Sequence, residues 1–158
     1  MNSEHIEFMR EAIRLSKEGM MNEYGGPFGA VVVKDGKIVG RGYNQVTSTN
    51  DPTAHAEVVA IRDACKNLKT FQLEGCDIYT SCEPCPMCMG AIYWARPTHV
   101  YFACTREDAA KIGFDDSYIY NELKLDIEER GIPLHNFSRD EAMMVFEEWE
   151  KKTNKTKY

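Results

Sequence analysis

Residues 4–20 place Ile6, Met9, Ile13 and Met20 roughly on one side of a 3.6-residue repeat, with Ser3 available as its cap, which predicts a helix. Gly25-Gly26-Pro27-Phe28-Gly29 breaks that repeat. Two short stretches, 30–34 and 37–42, then flank Asp35-Gly36, the residue pair of a two-residue β-hairpin turn. Residues 43–50 are polar and loop-like, and Asp51-Pro52 offers a cap and a first-turn proline for a helix reaching about Ala64. A short strand over 77–80 runs into Ser81-Cys82-Glu83-Pro84-Cys85-Pro86-Met87-Cys88. The prolines there start a helix that carries residues 89–95 and stops before Pro97. Another strand follows over 99–103, then a helical turn over 108–111 and a loop or short helix over 113–120. Ser138-Arg139-Asp140-Glu141 has the form of a capping box ahead of an amphipathic helix holding Met144, Val145 and Trp149. Helices and strands alternating at this spacing, without internal repeat or linker, predict one α/β domain over residues 1–158, a three-layer α/β/α sandwich.

Composition narrows the class. With 43% hydrophobic and 28% charged residues in 158, the chain reads as a folded domain with a substantial core. No apolar run approaches the ~18 residues of a membrane helix. Met1-Asn2-Ser3-Glu4-His5 leads into a charged amphipathic stretch and does not read as a signal peptide. A soluble cytoplasmic protein without membrane contact is therefore expected. The net charge is −6, but residues 151–158 carry four lysines and no acids, so residues 1–150 stand at −10. Such a body repels a phosphate backbone, which argues against nucleic acid and for a small, weakly charged ligand. The lysine-rich tail reads as a solvated, frayed terminus.

Cysteine spacing changes the picture most. Of six cysteines, Cys82, Cys85 and Cys88 lie three residues apart in one stretch, which points to metal ligation rather than a disulfide framework. Cys65, Cys76 and Cys104 read as small buried residues. His55-Ala56-Glu57 stands thirty residues before Cys85. A catalytic zinc takes three protein ligands and keeps a fourth position for water. Cys85 and Cys88, at i and i+3 of a helix start, can face one side, where the helix dipole favours their thiolates. His55 supplies the third ligand. Zinc brings the pKa of its water to ~7, and Glu57 can take that proton and pass it to a substrate nitrogen. That role requires His55 to lie in an irregular first turn, because two residues apart in a regular helix are on different faces. The competing reading is a structural zinc clip completed by Cys82.

The order His-x-Glu followed by Pro-Cys-x-x-Cys is that of the zinc nucleobase deaminases. With Gly25-Gly26-Pro27-Phe28-Gly29-Ala30, residues 51–57 and residues 79–88, the chain closely resembles the cytidine-deaminase-like superfamily over about residues 1–120. Within it, Phe114-Asp115-Asp116-Ser117-Tyr118-Ile119-Tyr120 and the closing Tyr158 are most similar to the bacterial guanine deaminases. The resemblance implies a five-stranded mixed sheet, a bound zinc, and hydrolysis of guanine to xanthine and ammonia. It also implies a homodimer whose C-terminal segment, about 138–158, packs over its own site or, by exchange, over the partner's.

The resemblance assigns substrate contacts to Asn44, Phe28, Ala56, Asp116 and Tyr158. By themselves, Asn44 reads equally as a loop cap, Phe28 equally as a core aromatic, and Asp115 and Asp116 as helix caps. Rival activities are tRNA adenosine deamination, for which a basic surface is expected, and cytosine or guanosine deamination. A non-catalytic zinc-stabilised binding module is the rival outside enzymes.

Overall fold

The first helix, α1 (Ser3–Met21), buries a face centred away from Ile6, Ile13 and Met20. Ala12, Leu15 and Gly19 are its buried positions, with Phe8 and Met9 packed beside Leu15. Ile6, Ile13 and Met20 are 43%, 47% and 43% exposed. Small residues decide the face, because they let the helix backbone approach the sheet. Ser3 is already helical and therefore is not the cap. A computed structural model describes residues 3–158, and the chain divides into two compact units, one ending at Asp116 and one spanning Ser117–Tyr158.

In the first unit, β1 (Gly29–Lys34) and β2 (Lys37–Tyr43) form the expected hairpin. Asp35 and Gly36 both take positive φ (49° and 71°), the conformation that a two-residue turn requires. After β2 come a single helical turn, α2 (Val46–Thr49), and then α3 (Ala56–Leu68). The helix expected with Asp51 as its cap thus begins four residues later, capped at His55. The Asp51 carboxylate accepts from the Thr53 amide at 2.8 Å and from its hydroxyl at 2.6 Å, closing a turn before the helix. Strand β3 (Cys76–Cys82), helix α4 (Pro86–Ala95), strand β4 (His99–Cys104) and helix α5 (Arg106–Lys111) complete the unit.

The sheet order is β2-β1-β3-β4, with β1 antiparallel to both neighbours and β3 parallel to β4. Alternation along the central strand divides the core. Ala30 and Val32 face Ala56, Ala60, Ala64, Ile78 and Ile92 on one side. Val31 and Val33 face Leu15 and Tyr79 on the other. Helices on both faces make the three-layer α/β/α arrangement expected.

The sheet has four strands among the described residues, not five. After β4 the chain turns helical at once, because Thr105 and Asp108 form a reciprocal capping box. In the second unit, α6 (Ser117–Glu122), a 3₁₀ turn (Ile127–Glu129) and α7 (Arg139–Lys151) follow, again without a strand. Ser138 does precede α7, but in left-handed conformation (φ 55°, ψ 29°), and its side chain makes no capping bond. Met144, Val145 and Trp149 are 62%, 62% and 46% exposed. Cys104 is exposed rather than buried, because it closes the edge strand.

One contact sets the position of α3. Its residues Ala56, Ala60 and Ala64, four apart, are fully buried against β2. A Cβ at Gly42 would lie 2.5 Å from Ala60 N and still nearer the Ala56 carbonyl oxygen, and one at Gly40 would lie 2.6 Å from the Ala64 Cβ. No side chain fits between strand and helix. We expect Gly42→Ala to lift the start of α3 and to cost about 1–3 kcal/mol in urea unfolding. An unchanged midpoint would show that the approach is not tight.

Candidate active site

Two helix starts converge in the first unit. His55 is the N-cap of α3 in extended conformation (φ −70°, ψ 156°), and Cys85 is the N-cap of α4 in nearly the same one (φ −67°, ψ 169°). Because His55 precedes the helix, its side chain does not follow the helical phase of Glu57. The geometric condition for pairing these two residues is met. Pro86 occupies the first turn of α4, and Cys88 follows within that turn, fully buried.

His55 Nδ1 lies 3.5 Å from Cys85 Sγ and 3.5 Å from Cys88 Sγ. The three donor atoms all lie within 4.8 Å of one another. Zn–S bonds of about 2.3 Å and Zn–N bonds of about 2.0 Å at tetrahedral angles put nitrogen and sulfur ligands about 3.5 Å apart. The cluster therefore has the edge lengths of a zinc tetrahedron, and the residues fit that ion. Cys82 stands outside it, with Sγ turned to the Thr105 carbonyl at 3.6 Å. Three protein donors leave a fourth position for solvent or substrate, as catalytic zinc sites do and closed structural sites do not.

The two thiols are pushed in opposite directions, and the hydrogen bond to Cys85, with burial, holds the Cys88 thiol well above its ordinary range. A hydrogen bond from Cys88 holds the Cys85 thiol well below its ordinary range, and His55 adds to this. The first-turn N–H groups of α4 act in the same direction. Contact with Cys85 in turn raises the His55 pKa. Glu57 is 6% exposed, with Oε1 3.3 Å from the Thr80 hydroxyl and Oε2 3.4 Å from Cys88 Sγ. Burial raises the Glu57 pKa, and the negative charge on Cys85 raises it further. A carboxyl moved toward neutrality can take up and release a proton more evenly.

Of the expected substrate residues, Asn44 is buried and held in one orientation. Its Oδ1 accepts from Gly26 N–H at 3.3 Å and from Val46 N–H at 3.1 Å, so the donor end of the amide is turned away from those contacts. Phe28 is half-buried and meets Phe114 edge to face at 4.9 Å. Ala56 is fully buried at the first position of α3, where backbone N–H groups have no helical partner. The Asp116 pKa is raised by partial burial and then by the charge of Cys85, so the carboxylate lies within the field of the cluster. Tyr158 belongs to the second unit and is 70% exposed.

Two residues of this region were not singled out from the sequence, Phe114 as the partner of Phe28 and Thr80 as the partner of Glu57. A hydroxyl in the otherwise apolar run Ile78-Tyr79-Thr80 of a wholly buried strand end was the available signal for Thr80.

This fold and this cluster define a zinc-dependent deaminase. Residues 2–104 match the family described as cytidine and deoxycytidylate deaminase zinc-binding region, and the chain belongs to that family. It is a hydrolytic zinc enzyme. Over 154 residues, spanning 98% of this chain and 99% of the other, it is 54% identical to the guanine deaminase of Bacillus subtilis. The X-ray structure of guanine deaminase from Bacillus subtilis superposes with a TM-score of 0.94 at 54% identity, covering 100% of this chain and 99% of that one. The tRNA-specific adenosine deaminase of Aquifex aeolicus is 43% identical over 95 residues, 60% of this chain and 60% of its own.

Purified protein should carry one zinc per chain, and Cys88→Ala should lose it, as read by elemental analysis. A variant that keeps its full zinc would remove Cys88 from the ligand set.

Proposed function

We propose that the chain deaminates guanine to xanthine and ammonia. The observation that carries this reading is the 54% identity to a guanine deaminase over almost the whole of both chains, where the tRNA-specific adenosine deaminases of Aquifex aeolicus and Haemophilus influenzae match over 60% and 74% of this chain at 43% and 37% identity. The charge of −10 over residues 1–150 favours a neutral base over a tRNA.

His55, Cys85 and Cys88 hold the zinc. When bound, the ion supplies the electrophilic pole that makes a water acidic near neutral pH. Glu57 would take one proton from the attacking water and deliver it to a ring nitrogen of the purine, then take a second from the hydroxyl so added to the ring carbon and deliver it to the amine, which leaves as ammonia when its C–N bond breaks. Asn44 donates from its amide to the base carbonyl, and Asp116 accepts from base N–H groups. Phe28 offers a face for stacking, a contact worth ~1–3 kcal/mol, and the Ala56 backbone N–H donates to the base. Adenine has no carbonyl to meet Asn44 and would leave that donor unpaired, a loss of ~1–3 kcal/mol.

Ammonia release across a purine and pyrimidine panel tests the reading. Guanine should be turned over best, and Asn44→Ala and Asp116→Ala should each lower kcat/KM with zinc retained. Glu57→Gln should keep fold and metal and lose at least ~10²-fold in kcat. Faster turnover of cytosine, or of adenosine in a tRNA stem–loop, would overturn the guanine assignment. Near-normal turnover by zinc-loaded Glu57→Gln would remove Glu57 from the reaction.

The cytoplasm is the compartment that fits six free cysteines. We further propose a homodimer in which the segment 138–158, with Tyr158 at its end, closes its own site or, by exchange, the partner's. The exposed apolar side chains Met144, Val145 and Phe146 of α7 support this. Removing residues 138–158 should convert dimer to monomer in sedimentation and abolish turnover; an active, dimeric truncation would refute it.

A further inference from the structure

Glu57 is buried, and each of its two oxygens has a different neighbour. Oε2 is 3.4 Å from the Cys88 thiol, and Oε1 is 3.3 Å from the hydroxyl of Thr80. These neighbours do not behave alike once a metal is held. Cys88 must then be a thiolate and has no proton to donate, so Oε2 loses its partner. Thr80 lies on β3, 1% exposed, and its hydroxyl is no member of the His55, Cys85 and Cys88 cluster. Its hydroxyl remains.

We propose that Thr80 is a positioning residue that anchors Oε1 of Glu57 and thereby makes Oε2 the oxygen that carries the proton. This rests on Glu57 being the proton carrier. The Thr80 hydroxyl has one proton and two acceptors in reach, Glu57 Oε1 at 3.3 Å and the Cys82 carbonyl at 3.0 Å. A carboxylate is the stronger acceptor, so while Glu57 is charged the proton goes to Oε1. With Oε1 occupied, Oε2 is the oxygen open to receive a proton, on the side of the ligand cysteines. The Cys82 carbonyl, three residues before Cys85, keeps the hydroxyl in place when Glu57 becomes neutral. Without Thr80 the carboxylate could turn about its last torsion, which is broad and nearly two-fold for glutamate. A half-turn only exchanges two equivalent oxygens, but the intermediate angles, at which neither oxygen is aimed at the substrate, would then be populated part of the time.

Thr80→Val keeps the branched shape and removes the hydroxyl; Thr80→Ser keeps the hydroxyl and removes the methyl. Thr80→Val should retain one zinc per chain and its KM, and lose about 10- to 100-fold in kcat. Thr80→Ser should recover most of that loss, which a purely steric role of Thr80 would not allow. A second readout is independent of activity. Thermal unfolding of Thr80→Val, Glu57→Ala and the double variant, metal-free and zinc-loaded, should give non-additive shifts in Tm. Additive shifts, or wild-type kcat in Thr80→Val, would overturn the inference. So would a Thr80→Ser variant as slow as Thr80→Val. Glu57→Gln separates the two levels: if it is inactive while Thr80→Val is normal, the anchor alone fails. If it is active, the role of Glu57 fails and the anchor with it.

Discussion

Three donor atoms can share one zinc only if they meet at separations of a few tenths of an ångström around 3.5 Å, and the rest of the first unit follows from that requirement. Donors from distant parts of a chain need fixed points of departure, and here both are helix N-caps. His55 and Cys85 leave the backbone from extended conformations immediately before α3 and α4. Neither makes a side-chain capping bond. A serine, threonine or asparagine at either position would add about 1 kcal/mol to its helix. That stabilisation is given up so that the positions can hold ligands, and local rules are most often broken at such functional sites.

The scaffold works to the same tolerance. Strand β2 presents Gly40 and Gly42 to the alanines of α3, so the helix lies almost in backbone contact with the sheet and its first residue is fixed. Strand β3 is buried nearly throughout and runs directly into the loop that delivers Cys85. Its polar side chains at that end all have partners: the Ser81 hydroxyl accepts from Gly29 N–H at 3.0 Å, and Thr80 meets Glu57 and the Cys82 carbonyl. Polar groups buried with partners resist rearrangement, because any alternative leaves one unsatisfied. Small residues fix the distance of α3 from the sheet, and buried hydroxyls fix the angle at which β3 leads into its loop.

The ligand set was legible in the sequence because it depends on spacing and on two helix starts that proline and the Cys-x-x-Cys interval announce. The hairpin was equally plain, since Asp35-Gly36 requires positive φ and little else tolerates it. What was misread depended on small residues and on local competition. Ala12 and Gly19 outweigh Ile6 and Ile13 in choosing the face of α1, because close approach to the sheet buries more than side-chain size suggests. Asp51 spends its side chain on Thr53 instead of capping a helix, and Ser138 takes a left-handed conformation from which it makes no capping bond. Thr80 was only half legible, since its hydroxyl stands out in a buried run but its pairing does not. Its partner is 23 residues away, and no local pattern encodes that meeting.

Charge ties the cluster to the body around it. Cys85 raises the pKa of Glu57 and adds to the effect of burial on Asp116, and both groups are themselves acidic. Acidic groups gathered in this way repel one another in a region of low dielectric, and a divalent cation relieves all of them at once. Two thiolates neutralise such a cation, so with Glu57 ionised the site is left one negative charge in excess. An anionic ligand would meet that charge and the acidic surface together; a neutral planar ligand meets neither penalty. The same charge distribution that suits the cluster to a metal thus disfavours an anionic ligand beside it. On the guanine reading proposed above, discrimination among neutral bases falls to directional groups, and the amide of Asn44, its oxygen held by two backbone donors, is one of them.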